Sequence, residues 1–223
     1  MSNLRRLFLA CTFGLLLTIT ASADSLVLDP PGDFIPTYAG PQGGDLDVLS
    51  AQVTFTGTEF LFAGRVNAAI GTTPGTLYVF GIDRGAGTPR FGVINTGSAT
   101  YDATGVLFDS VVTVRPDGTG TVTLLVPLPP AATQLAPGSV TITGDSFLAR
   151  VPVALLPSLG FAPSQFTWNL WPRLGAGNNN QISDFAPNNS NAPVATPEPA
   201  TVLLISTGLV GIAAKLRRRR KSE

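Results

Sequence analysis

The chain predicts an all-β domain, an antiparallel β-sandwich of jelly-roll-like type. An N-terminal signal peptide and a C-terminal single transmembrane helix flank it. Three observations carry this prediction. Short runs rich in Thr, Val and Phe alternate apolar and polar residues with a period of two. Gly, Pro, Asn and Asp clusters separate these runs, and no amphipathic helical stripe longer than about ten residues survives them. An uncharged apolar segment stands near each end, each with its own pattern of flanking charge.

The first element is the leader, residues 1–23. Arg5 and Arg6 precede the apolar run Leu7 to Thr20, and Ala21-Ser22-Ala23 supplies small residues for signal peptidase, with cleavage before Asp24. The single cysteine, Cys11, lies inside that apolar run. Lipidation would need a cysteine after the run. A chain cut before Asp24 holds no thiol, so the exported domain rests on its core and not on disulfides.

Residues 24–186 carry the strands. In "AQVTFTGTEFLFAGRV", Ala51, Val53 and Phe55 alternate with polar residues, Thr56-Gly57-Thr58 turns, and Phe60, Phe62 and Val66 resume. "VVTVRPDGTGTVTLLV" repeats the device around Pro116-Asp117-Gly118, and "VTITGDSFLARVPV" around Gly144-Asp145. "TLYVFGID", Thr76 to Asp83, is apolar nearly throughout, which predicts a central strand covered on both faces. In "FTWNLWPR", Phe166, Trp168 and Leu170 share one face and Thr167, Asn169 and Trp171 the other, with Pro172 ending the strand. Residues 187–196 read as a flexible linker. The glycine runs in "GIDRGAG" and "LGAGNNN" complete no phosphate-binding fingerprint and read as turns.

Charge and composition exclude whole classes of function. Formal net charge is zero, but both lysines and four arginines sit in the tail. The middle keeps six arginines against eleven aspartates and Glu59, a net charge of −6. An acidic domain without lysine excludes nucleic acid as a partner. The chain has no histidine, which removes the commonest general base and most zinc and copper sites. Serine and threonine nucleophiles lack a lysine partner. Only paired carboxylates remain as a catalytic route, and Glu59 sits beside a hairpin turn. The expectation is that the protein is not an enzyme.

Two features suggest binding. Asp29, Asp33, Asp45 and Asp47 fall in the Pro/Gly-rich opening of the domain, and calcium takes six to eight such oxygens. Asp45 and Asp47 project to one side if that stretch is extended. The other reading is that these aspartates cap their own turns and no cofactor is bound. Asp83 and Asp184 join such a site only if the fold brings them near, with Arg84 and Arg173 as their alternative partners. Trp171, if exposed, offers an apolar plate with a polar edge for a sugar ring, as would Tyr38, Tyr78 or Tyr101.

The tail, residues 197–223, opens with Pro197-Glu198-Pro199. Residues 200–214 follow without charge, too few for an untilted span of the roughly 30 Å hydrocarbon core unless Lys215 and the arginines snorkel. The basic tail, residues 215–221, contains Lys215, Arg217, Arg218, Arg219, Arg220 and Lys221, which hold that end on the cytoplasmic side. Motif, apolar helix with Gly208 and Gly211, and basic cluster together resemble the PEP-CTERM sorting signal, over Thr196 to Glu223. The resemblance implies export through the inner membrane and transient anchoring. It also implies cleavage near Pro-Glu-Pro by exosortase, a membrane protease, and release to the cell surface or extracellular matrix. Implied partners are signal peptidase, exosortase and exopolysaccharide, with a structural or adhesive role. A secreted carbohydrate-binding module, calcium-stabilised, is the alternative expectation.

Overall fold

A computed structural model describes residues 25–196. The expected leader (1–23), the span at 200–214, the Pro-Glu-Pro motif and the basic cluster lie outside the described residues. In chain order the first strands are β1 (Val27–Leu28), β2 (Val48–Phe55), β3 (Glu59–Val66), β4 (Thr76–Asp83), β5 (Thr88–Pro89), β6 (Val93–Thr96), β7 (Ala99–Asp102) and β8 (Leu107–Phe108). There follow β9 (Ser110–Val114), β10 (Gly120–Leu124), β11 (Ala131–Gln134), β12 (Val140–Thr143), β13 (Ser146–Pro152), β14 (Thr167–Leu174) and β15 (Ala192–Pro193). Among the described residues, helix is confined to one-turn 3-10 segments such as Gly44–Leu46, and no helix is long and apolar enough to cross a membrane.

One sheet has the spatial order β1-β2-β3-β13-β12 and the other β11-β10-β9-β4-β14-β15. Neighbouring strands are antiparallel throughout, and neither sheet closes into a barrel. The three hairpins legible from turn chemistry form where local residues place them. Gly57, Gly118 and Gly144 all take positive φ (103°, 79° and 61°), the backbone state glycine enters without a Cβ penalty. The sheets share one core, into which β2 and β3 send Val53, Phe60 and Phe62, and β4, β9 and β14 send Tyr78, Phe80, Val112, Trp168 and Leu170. The Phe62 and Phe80 rings meet edge-on at 5.1 Å, and Phe60 stacks on Phe166 at 5.5 Å, arrangements that add to area burial.

As its composition predicts, β4 is central, between β9 and β14. Its two faces serve two different cores. Tyr78, Phe80 and Ile82 enter the core between the sheets, whereas Val79 joins Ile35, Ile94, Val106, Phe108, Trp171, Ile182 and Phe185 on the outer face. The β5–β8 and β6–β7 ribbons stand apart from the main sheets, and their residues Ile94 and Phe108 belong to this outer layer. Gly81 of β4 permits the layer to close: a Cβ there would stand 2.5 Å from the Trp171 ring.

Two expectations fail here. Pro172 does not end its strand; β14 continues to Leu174. Proline supplies no N–H to the ladder there, but its carbonyl accepts from the Ser183 N–H at 3.1 Å. Residues 187–196 are also no free linker. Ala192 and Pro193 pair with Trp168 and Thr167. Ala195 donates its N–H to Val53 and accepts from the Phe55 N–H, each at 2.8 Å. Asparagine side chains do the work of strand partners: Asn191 donates to the Leu107 carbonyl (2.7 Å) and accepts from its N–H (3.1 Å).

Candidate metal centre

Of the four opening aspartates, Asp29 and Asp33 converge, Asp47 is tied to the turn that carries them, and Asp45 departs. Asp29 follows β1 and Asp33 lies beyond the Pro-Pro-Gly turn, where Gly32 at φ 82° reverses the chain. The Gly32 N–H donates to Asp47 Oδ2 at 2.8 Å, clipping that turn to the segment entering β2. Asn67 Nδ2 donates to the same oxygen at 2.9 Å. Asp47 is 1% exposed, and its other oxygen, Oδ1, has no partner.

Asp184 arrives from the far end of the chain. It is fully buried and accepts from the Val48 N–H (2.9 Å) and the Phe185 N–H (2.7 Å). One carboxylate oxygen from each of Asp29, Asp33 and Asp184 lies within 4.8 Å of the others. Asp29 Oδ2 and Asp33 Oδ1 are buried without partners.

Electrostatics follow from this crowding. Burial, then the charges of Asp184 and Asp33, push the Asp29 carboxyl up to about 8. Burial raises Asp184 to about 7, against the opposing help of the Val48 N–H. Asp33 is raised by burial and by the charge of Asp47. Burial raises the Tyr101 phenol, and the charges of Asp184, Asp29 and Asp33 add to it, so the β6–β7 ribbon borders the group. The ion pairs among the described residues lie elsewhere, at Arg65–Asp145, Arg84–Asp109 and Arg150–Glu59. The arrangement gathers carboxyl oxygens where no arginine answers them, and oxygens are the ligands that hard cations take.

Asp45 departs because the chain is not extended there. The 3-10 turn Gly44–Leu46 separates it from Asp47. Its carboxylate instead accepts from the Thr73 N–H (2.8 Å) and Thr73 Oγ1 (2.5 Å), fastening the loop before β4. Asp83 also stays away, capping the N–H groups of Gly85 and Gly87 at 2.8 Å each. Arg84 pairs with Asp109 at 2.6 Å, both side chains fully buried, and Arg173 donates to the Gly175 and Asn178 carbonyls.

Trp171 is 2% exposed, so it is no plate for a sugar. The Phe91 ring meets it edge-on at 4.9 Å, with Phe108 at 5.1 Å. Tyr78 is equally buried, and Tyr101 lies flat against Phe185 at 5.4 Å. Asp184 is the site residue whose position sequence spacing does not reveal, because it meets Val48 across 136 residues. The signal that singles it out is an isolated acidic residue in a segment with apolar neighbours, Ile182 and Phe185.

No curated protein matches the chain. A family model does match residues 195–220, and its description is the PEP-CTERM protein-sorting motif. The match begins at Ala195, the residue bonded to β2, and runs through the Pro-Glu-Pro motif and the first part of the basic cluster. The chain therefore carries a PEP-CTERM sorting motif at residues 195–220, which supports exosortase-type sorting of its C-terminus to the cell surface.

Proposed function

We propose that the protein is a non-catalytic structural or adhesive component of the cell surface or exopolysaccharide matrix, built as a jelly-roll-like sandwich and exported with a removable leader. The tail anchors it in the inner membrane until exosortase cuts near Pro197 to Pro199. The sorting motif at 195–220 carries this reading. The domain supports it in two ways. Both tryptophans and Tyr78 are invested in the two cores and offer no exposed platform. Its sheet order brings the late β12–β13 hairpin beside the early β2–β3 hairpin, so distant parts of the chain close one sheet.

The test is the intact mass of the protein from its native host, in membrane, surface and released fractions. The expected outcome is a surface or released form beginning at Asp24 and lacking the basic tail. A chain that keeps Arg217 to Lys221 and stays in the membrane fraction would overturn the reading.

A further inference from the structure

We propose that Asp29, Asp33 and Asp184, bordered by the buried Asp47 carboxylate, form one binding site for a hard divalent cation, calcium by its chemistry. This goes beyond the sorting reading and does not depend on it. Geometry comes first. Calcium holds oxygens at about 2.3–2.6 Å, so two ligands on one ion stand at most about 5 Å apart. The oxygens of Asp29, Asp33 and Asp184 fall within 4.8 Å of one another. Magnesium, with ligands at about 2.0–2.1 Å, demands a tighter set.

A second observation points the same way from outside that trio. Asp47 is 1% exposed and keeps Oδ1 without a partner, while its Oδ2 is committed to the Gly32 and Asn67 donors. Its Oδ2 is held against the turn that carries Asp29 and Asp33, and its charge acts on both carboxyls. A buried carboxylate oxygen without a donor is costly unless something positive reaches it. No arginine does: the described ones that pair with carboxylates pair with Asp145, Asp109 and Glu59. The donor set is all oxygen, which suits calcium over zinc, copper or iron. A bound ion would join residues 29–47 to residue 184, tying the opening of the domain to its closing segment.

The test uses the full chain in detergent, freed of metal with a chelator, and calcium chloride as the titrant in calorimetry. The expected result is one calcium per chain with Kd in the range of about 10⁻⁴ to 10⁻³ M, as in extracellular modules. Tm should rise by roughly 5–10 °C at about 100 times Kd. Asp33→Asn, at a half-buried turn position, should keep the fold and weaken binding about tenfold or more. Asp184→Asn should abolish binding, and Asp117→Asn, in a distant turn, should leave it unchanged. Sensitised terbium luminescence from the bordering Tyr101, displaced by calcium, gives a readout that a purely structural role would not move. No heat and no Tm shift at about 100 mM calcium, 100 times the weakest expected Kd, would overturn the site. So would an Asp33→Asn chain that binds calcium as tightly as the parent. If Asp184→Asn fails to fold, Asp33→Asn decides.

Discussion

Trp171 shows what a single side chain can and cannot declare. Its alternation with Trp168 was legible, since neighbouring residues on a strand point to opposite faces. Its burial was not, because the cover comes from Phe91 and Phe108, which lie far off in the chain. An aromatic in such a layer is a packing residue, so Trp171→Ala should cost about 3–5 kcal/mol in urea unfolding. A cost under about 1 kcal/mol would mean the outer layer is not packed around it. The acidic residues carry a similar lesson. Composition singled out the Pro/Gly-rich opening, and two of its four aspartates, Asp29 and Asp33, do converge, with Asp184 as the third member of the group. Asp45 departs from them because a 3-10 turn, invisible to a period-two argument, turns it toward Thr73. Asp184 escapes local reasoning because no local rule states which distant loop meets β2.

At the scale of elements, what was legible is what local chemistry determines. Gly118 and Gly144 turn their hairpins through positive φ, and β4 advertises its two-sided burial by an unbroken apolar run. The β3–β13 pairing, by contrast, joins residues such as Phe62 and Ala149 through a long connection that no turn signal encodes. The same holds for the Arg84–Asp109 pair, which locks the end of β4 to the entry of β9. Asp109 accepts from the Arg84 Nε (2.6 Å), the Arg84 N–H (2.9 Å) and the Ala86 N–H (3.1 Å), while the guanidinium also donates to the Pro157 and Val126 carbonyls. Removing one partner strands a fully buried charge. Asp109→Ala should therefore cost about 3–5 kcal/mol in chemical denaturation. Glu59→Ala, which breaks the exposed Arg150 pair, should cost less than about 1 kcal/mol. Equal costs for the two would contradict the assignment of Arg84 and Asp109 to the interior.

On the scale of the whole molecule, the last described segment joins the two sheets. β15 lies on the edge of the second sheet beside β14, and two residues later Ala195 pairs with β2 of the first. Composition suggests a loose tether here, since Asn and Pro dominate it; the Asn191 side chain instead donates to Leu107 of β8 and Thr167 of β14. The consequence concerns where processing stops. The sorting motif begins on a residue already stitched into the domain, so an exopeptidase working inward from a cut tail meets a folded hem. Its progress should halt at Thr196 or beyond, giving one sharp mass. Ala195→Pro, which deletes the N–H donated to Val53, should unpick that hem and yield a ladder of shorter C-termini after carboxypeptidase treatment. A ragged parent chain would show that the seam is not closed. A sharp one would mean that folding itself finishes the tailoring, and that the released domain carries the same end whatever enzyme made the first cut.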